Sequence, residues 1–193
     1  MTAVELTPDT AQRVFRRCLE ALAHPGTILG MGSLAPDRPA THLPLLALTD
    51  LMVSVAPLTA ASRDAVHGIA ALTGARVGDV GRARFVLADE TDPAAMRGLP
   101  VGTSLSPHEG ALLVQRTTTL DAGLPVWLSG PGIDGSVTMS AGLDPQWWSA
   151  RAELCAAFPR GIDVLLVDDA GRVAGLPRTS HASVGSVPEG ASA

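Results

Sequence analysis

The segment Ile162 to Val167 constrains the fold of this chain more than any other. Apart from Asp163 it is apolar throughout, and Asp168-Asp169-Ala170-Gly171 follows as a turn into a second apolar run, Val173 to Leu176. Side chains alternate across a sheet, so a strand that is apolar at successive positions has no face suited to water. Such a strand belongs in the middle of a sheet covered on both sides. The rest of the chain must supply neighbouring strands and the layers that cover them.

Capping chemistry marks where the helices start. Thr7-Pro8-Asp9, Asp92-Pro93 and Asp144-Pro145 each place a side-chain acceptor directly before a proline. The acceptor satisfies one orphan N–H of the first turn and the proline removes another. The first signal predicts a helix ending at His24-Pro25-Gly26, with Phe15, Cys18, Leu19 and Leu22 as its buried face. The second opens a short helix that stops at Gly98, and the third a helix through Phe158. Ser62 reads as the cap of another helix carrying Val66, Ile69, Ala70 and Leu72. Leu43 to Val55 reads as helix at its start and strand at its end. Ile28 to Met31, Arg84 to Ala88 and Val137 to Ala141 read as strands, with loops at Gly74 to Gly81 and Leu99 to Gly110. Leu112 to Thr118 and Val126 to Ser129 read as a hairpin turning at Asp121-Ala122-Gly123. Helices and strands alternate over most of the length, which predicts an α/β fold, a mixed central sheet with helices on both faces. One domain is expected over residues 7–184, and the small polar residues 185–193 read as a disordered tail.

Composition excludes several kinds of chemistry. All 14 basic residues are arginine. Without lysine there is no Schiff-base nitrogen for covalent pyridoxal phosphate chemistry and no P-loop. The net charge of −5, without clustered basic residues, gives no electrostatic footprint for nucleic acid. No apolar run approaches the roughly 20 residues that cross a membrane. No basic-then-apolar leader stands at the N-terminus, so the cytoplasm is the expected location. Cys18 and Cys155 fall in predicted helices beside apolar neighbours and read as separate buried thiols. An apolar fraction of 46% with few charges to cover the surface predicts a homodimer.

Candidate contacts are few. The histidines at 24, 42, 67, 108 and 181 show no metal-ligand spacing, and no metal is expected. His108-Glu109 is the one His–acid neighbour pair. Ser129-Gly130-Pro131-Gly132 follows a strand, where glycines can cradle phosphate or simply make a turn. Arg178-Thr179-Ser180-His181 could hold a phosphoryl oxygen or anchor a chain end. Arg178, Thr179, His181, Glu109, Gly130 and Gly132 are therefore the candidate binding or interface residues. No catalytic residue is assigned.

Spaced motifs carry a resemblance. Thr10 to Ile28, with Phe15-Arg16 and Pro25-Gly26, resembles the N-terminal signature of the H subunit of the carbon–phosphorus lyase core complex. Further blocks follow in the same order. They are Gly102-Thr103 with Pro107-His108-Glu109-Gly110-Ala111, then Leu128-Ser129-Gly130-Pro131-Gly132-Ile133. The last is Phe158-Pro159-Arg160-Gly161-Ile162-Asp163, running on to Leu176-Pro177-Arg178-Thr179-Ser180. His108 departs from the family pattern, which more often reads Pro-Glu there. The resemblance implies a fold similar to pyridoxal-phosphate-dependent transferases but without the cofactor. It also implies a homodimer joined to G, I and J subunits. In that complex a phosphonate moves onto the ribose of ATP before the C–P bond is cleaved. The resemblance carries over no catalytic residue.

Overall fold

The computed structural model describes residues 5–185. The chain opens with α1 (Pro8–Ala23), β1 (Leu29–Gly30), α2 (Leu43–Leu48) and β2 (Ser54–Pro57). It continues through α3 (Arg63–Thr73), β3 (Arg76–Val77), β4 (Phe85–Ala88), α4 (Pro93–Met96) and β5 (Leu112–Thr117). β6 (Leu124–Ser129), β7 (Ser136–Ala141), α5 (Pro145–Cys155), β8 (Asp163–Asp168), β9 (Arg172–Leu176) and β10 (His181–Val184) complete it. Seven strands form a mixed sheet in the order β1-β9-β8-β5-β4-β2-β3, parallel from β8 to β3 and antiparallel from β8 to β1. A second, antiparallel sheet has the order β10-β6-β7. No helix among the described residues is long and apolar enough to cross a membrane.

β8 lies between β5 and β9, where its apolar run requires it to be. Leu165 and Val167 pack on one side with Val14, Cys18 and Ala21 of α1, Leu43 and Leu45 of α2, and Val66 and Ile69 of α3. Val164 and Leu166 pack on the other side with Val126 and Leu128 of β6, Met139 of β7 and Trp147 of α5. Helices therefore cover both faces, and on one of them they share the work with the small sheet. Leu165 and Leu166 are fully buried, so either one changed to alanine costs about 2–5 kcal/mol in transfer and cavity terms. Gln115, buried in β5, accepts from Trp147 Nε1 at 3.1 Å and donates to the carbonyls of Arg116 and Ala88. That network ties α5 to the ends of β4 and β5.

Several sequence expectations need correction. β5 and β6 are not a hairpin. β5 pairs with β4 and β8, and the chain then leaves for the small sheet, where β6 pairs with β7 and β10. The buried face of α1 is Val14, Cys18 and Ala21, whereas Phe15 is 45% and Leu19 56% exposed. The stripe is set by where the helix lies on β8 and β9, about one residue round from the bulkiest side chains. α5 stops at Cys155, short of Phe158, and Cys155 is only partly buried. β3 lies inside the segment that reads as a loop. Of the expected tail, residues 186–193 lie outside the described residues.

Candidate functional site

The later motif blocks, far apart in sequence, meet at one place, away from the N-terminal block of α1. β9 ends at Leu176, and Arg178 turns back across the start of β8. Its backbone N–H donates to Asp163 Oδ1 at 2.9 Å, its Nε to the same oxygen at 3.2 Å, and its Nη2 to Oδ2 at 2.6 Å. Its Nη1 donates to Pro107 O. The Arg178 and Asp163 side chains are 12% and 20% exposed. A forked, charge-assisted pair of this kind is strong and geometrically specific. The loop before β5 closes the arrangement. Gly161 donates to Val101 O at 2.9 Å, and a Cβ on Gly110 would stand 2.9 Å from Arg178 Nη1. Arg84 Nη1 donates to Gly110 O, and burial pushes its guanidinium pKa down.

A second guanidinium lies behind the first. Arg151 of α5 is 2% exposed. Its Nη2 donates to Pro177 O at 2.7 Å and Ser180 Oγ at 2.9 Å, and its Nη1 to Ser180 O at 3.2 Å. Among the described residues its Nε has no partner, and burial lowers its pKa. Arg151 thus fixes the Pro177–Ser180 turn without a carboxylate of its own.

The glycine-rich block serves close approach. Gly130, at φ 129, leaves no room for a side chain, because a Cβ would stand 2.8 Å from Thr179 O. Gly132 abuts Ala23 O at the end of α1. Of the candidates, Arg178, Thr179 and Gly130 are therefore together, and Gly132 lies apart from them against α1. Glu109 is exposed in a short turn over Pro107–Glu109, and His181 is exposed in β10, opposite Ser129. The β8–β9 pair that leads to Arg178 is not at the edge of the main sheet. β1 caps β9, and the chain passes directly into the small sheet.

Sequence reasoning missed Asp163, Arg151 and Arg84. Asp163 is the one acid interrupting the apolar run of β8, and that interruption was the available signal. Arg151 shares a helix face with Trp148 and Cys155, so an arginine sits on an apolar stripe. Arg84 has no comparable mark. A separate clasp ties β8 and β9 to the connection between β5 and β6. Arg172 Nη1 reaches Asp121 Oδ2 at 2.6 Å and Nη2 reaches Asp168 Oδ2 at 2.6 Å. Hydrogen bonds from Arg172 and Thr119 hold the Asp121 carboxyl at about 2, below its ordinary value. Among the described residues no group of His, Cys, Asp and Glu side chains could hold a metal ion.

Fold and site define an α/β protein with a mixed sheet and a smaller companion sheet, in which arginine joins the signature loops to one another. The chain belongs to the bacterial phosphonate metabolism protein (PhnH) family, whose model matches residues 3–183. It is 36% identical over 173 residues to the putative C-P lyase subunit protein HtxG of Stutzerimonas stutzeri, an alignment covering 88% of this chain and 84% of that one.

Proposed function

We propose that this chain is a non-catalytic assembly subunit of the carbon–phosphorus lyase complex of phosphonate catabolism. In this reading it is a cytoplasmic homodimer that joins G, I and J subunits. Its sheet is a cofactor-free relative of the pyridoxal-phosphate-dependent transferases. The complex then forms ribose 1-phosphonate 5-triphosphate from ATP and a phosphonate, and its other subunits carry the bond-breaking steps. Family membership supports the pathway, and the name of the HtxG relative supports the complex. The observation that carries the assembly role is where Arg178 goes. The strongest candidate contact in the sequence is committed to Asp163 and Pro107 O inside the protein.

A second reading, a nucleotide- or phosphonate-binding module, has one observation in its favour. A cleft of about 220 Å³ is lined by Arg151, Arg178, Ser180 and His181. One pair of measurements separates the two. The purified chain alone should release no adenine from ATP plus methylphosphonate, and the same chain added to G, I and J subunits should restore release. Steady adenine release by the isolated chain would overturn the assembly reading. A melting temperature that rises with methylphosphonate or ATP would favour the binding module, since a ligand of the folded state must stabilise it.

A further inference from the structure

The loop that leads into β5 is fixed along its whole length. Gly102 sits at φ 72, and a Cβ there would stand 2.7 Å from Ser106 O. Thr103 N–H donates to Ser106 O at 3.2 Å, and Ser106 N–H donates to Thr103 Oγ1 at 2.9 Å. Glu109 and Gly110 donate their N–H groups to Ser106 O and Pro107 O at 3.2 and 3.1 Å. Two guanidiniums grip the base, Arg178 through Pro107 O and Arg84 through Gly110 O. At the tip of this closed turn stands Leu105, 96% exposed.

The loop that leads into β8 opens beside it, because β5 and β8 are parallel neighbours. Gly161 N–H ties the two loops together at Val101 O, and Phe158 of the second loop is 74% exposed. A lone exposed apolar side chain is ordinary. Two large ones on adjoining, fixed loops mark an interaction surface. The charge around them is distinctive too. Arg82, Arg84, Arg151 and Arg160 lie at this end of the sheet, and among the described residues none of them has a carboxylate partner. Asp79 and Glu109 are the exposed acids of the same loops. This end is therefore positive in a chain whose net charge is −5.

We propose that this end of the sheet docks a different subunit, one that offers apolar sockets to Leu105 and Phe158 within a rim of carboxylates. The inference rests on the assembly reading above and gives that assembly a surface. Charge selects the occupant. A twofold contact brings one patch onto the same patch of its copy, so arginine would face arginine at a cost. An acidic partner meets the opposite sign. Fixing the loops before binding removes the entropy of ordering them in the complex. The Arg178–Asp163 pair then has a purpose in assembly, since it holds both loops in one relative position.

The test titrates the full chain with a mixture of purified G, I and J subunits. Leu105→Ser and Phe158→Ser, made together, should weaken binding about tenfold or more, as loss of anchor side chains does. Melting temperature and sedimentation should stay as they are, because neither side chain belongs to a core. Leu19→Ser, on exposed α1, should bind as the unmodified chain does. Arg160→Glu should weaken binding and flatten its dependence on salt. A second measurement needs no variant. Among the described residues nothing accepts from the N–H groups of Ser104 and Leu105, so their exchange should slow when the subunits are added. Unchanged exchange, or a double variant that binds as well as the unmodified chain, overturns the location and leaves the assembly reading intact. An unmodified chain that binds none of the subunits overturns both. Tighter binding by Arg160→Glu overturns the acidic rim. A double variant that changes its own oligomeric state assigns the surface to a second copy and overturns the proposal.

Discussion

Arg178 and Arg151 hold the same turn by different means. Arg178 has a carboxylate, and its removal leaves Asp163 without a counter-charge. Arg178→Ala should lower stability by about 1.5–3 kcal/mol, the range for hydrogen bonds to charged groups, read as a lower urea midpoint. Arg178→Lys should rescue poorly, since an ammonium cannot reproduce the planar fork. Arg151 has carbonyls and a hydroxyl as partners. Arg151→Met fills much of the same space, yet leaves Pro177 O and Ser180 O without that donor, costing about 1–3 kcal/mol. The thiols separate by environment. Burial pushes Cys18 up to about 12 from its ordinary 9.0, and Cys155 is only partly buried. A thiol reagent should label Cys155 well before Cys18 in the native protein, and equal rates would contradict the packing of α1. The linkage has a definite sign. The folded state resists ionisation of Cys18, so its contribution is complete below 9.0 and is lost as pH rises towards 12. Asp121 acts in the opposite direction. Its contribution is complete above 3.8 and fades as pH falls towards about 2. A Cys18→Ala variant should therefore show a flatter decline in melting temperature at high pH.

Among the elements, local chemistry was legible and pairing was not. The three acceptor-plus-proline signals all hold. Thr7 Oγ1 accepts from Thr10 N–H, Asp92 Oδ1 from Ala95 N–H and Asp144 Oδ1 from Trp147 N–H. Ser62 precedes α3 as expected, yet its hydroxyl accepts from Asp89 N–H at 2.9 Å, tying α3 to the end of β4. Residue types locate a strand, but its neighbours depend on the whole sheet. β5 cannot turn back on itself because β4 and β8 occupy both of its edges. Arg178 could be singled out from its motif. Asp163 stood out only as an acid in an apolar run, which does not announce a partner 15 residues away. The glycine block offers a direct test. Gly130 and Gly135 both have positive φ, but only Gly130 faces neighbouring backbone. Gly135→Ala should cost about 1 kcal/mol from backbone conformation alone. Gly130→Ala must also displace the Thr179 carbonyl, and should lower the melting temperature clearly more. Equal shifts would show that Thr179 moves freely.

At the scale of the whole molecule, two apolar cores share one sheet. Trp127, Trp147 and Trp148 all lie in the small sheet or α5, on one side of β8. Tryptophan fluorescence therefore reports that side, while circular dichroism at helix wavelengths also weighs α1 and α3. If the chain unfolds as one domain, both signals should move at the same urea concentration, the ordinary test of a two-state transition. Separate midpoints would divide the proposed single domain at the main sheet.

The meeting of the motif blocks at Arg178 also bears on recombination. A signature of this kind records a geometry, so its blocks can be inherited only as a set. A chimera with a 36% identical relative that takes the Gly102–Ala111 loop from one parent and the Phe158–Asp163 block from the other breaks up a matched fit. Crossovers within α3 (Arg63–Thr73) keep together the blocks that meet at Arg178, all of which follow it in the chain. Functional hybrids recovered from shuffled libraries should have their junctions there and seldom between Val101 and Ser180.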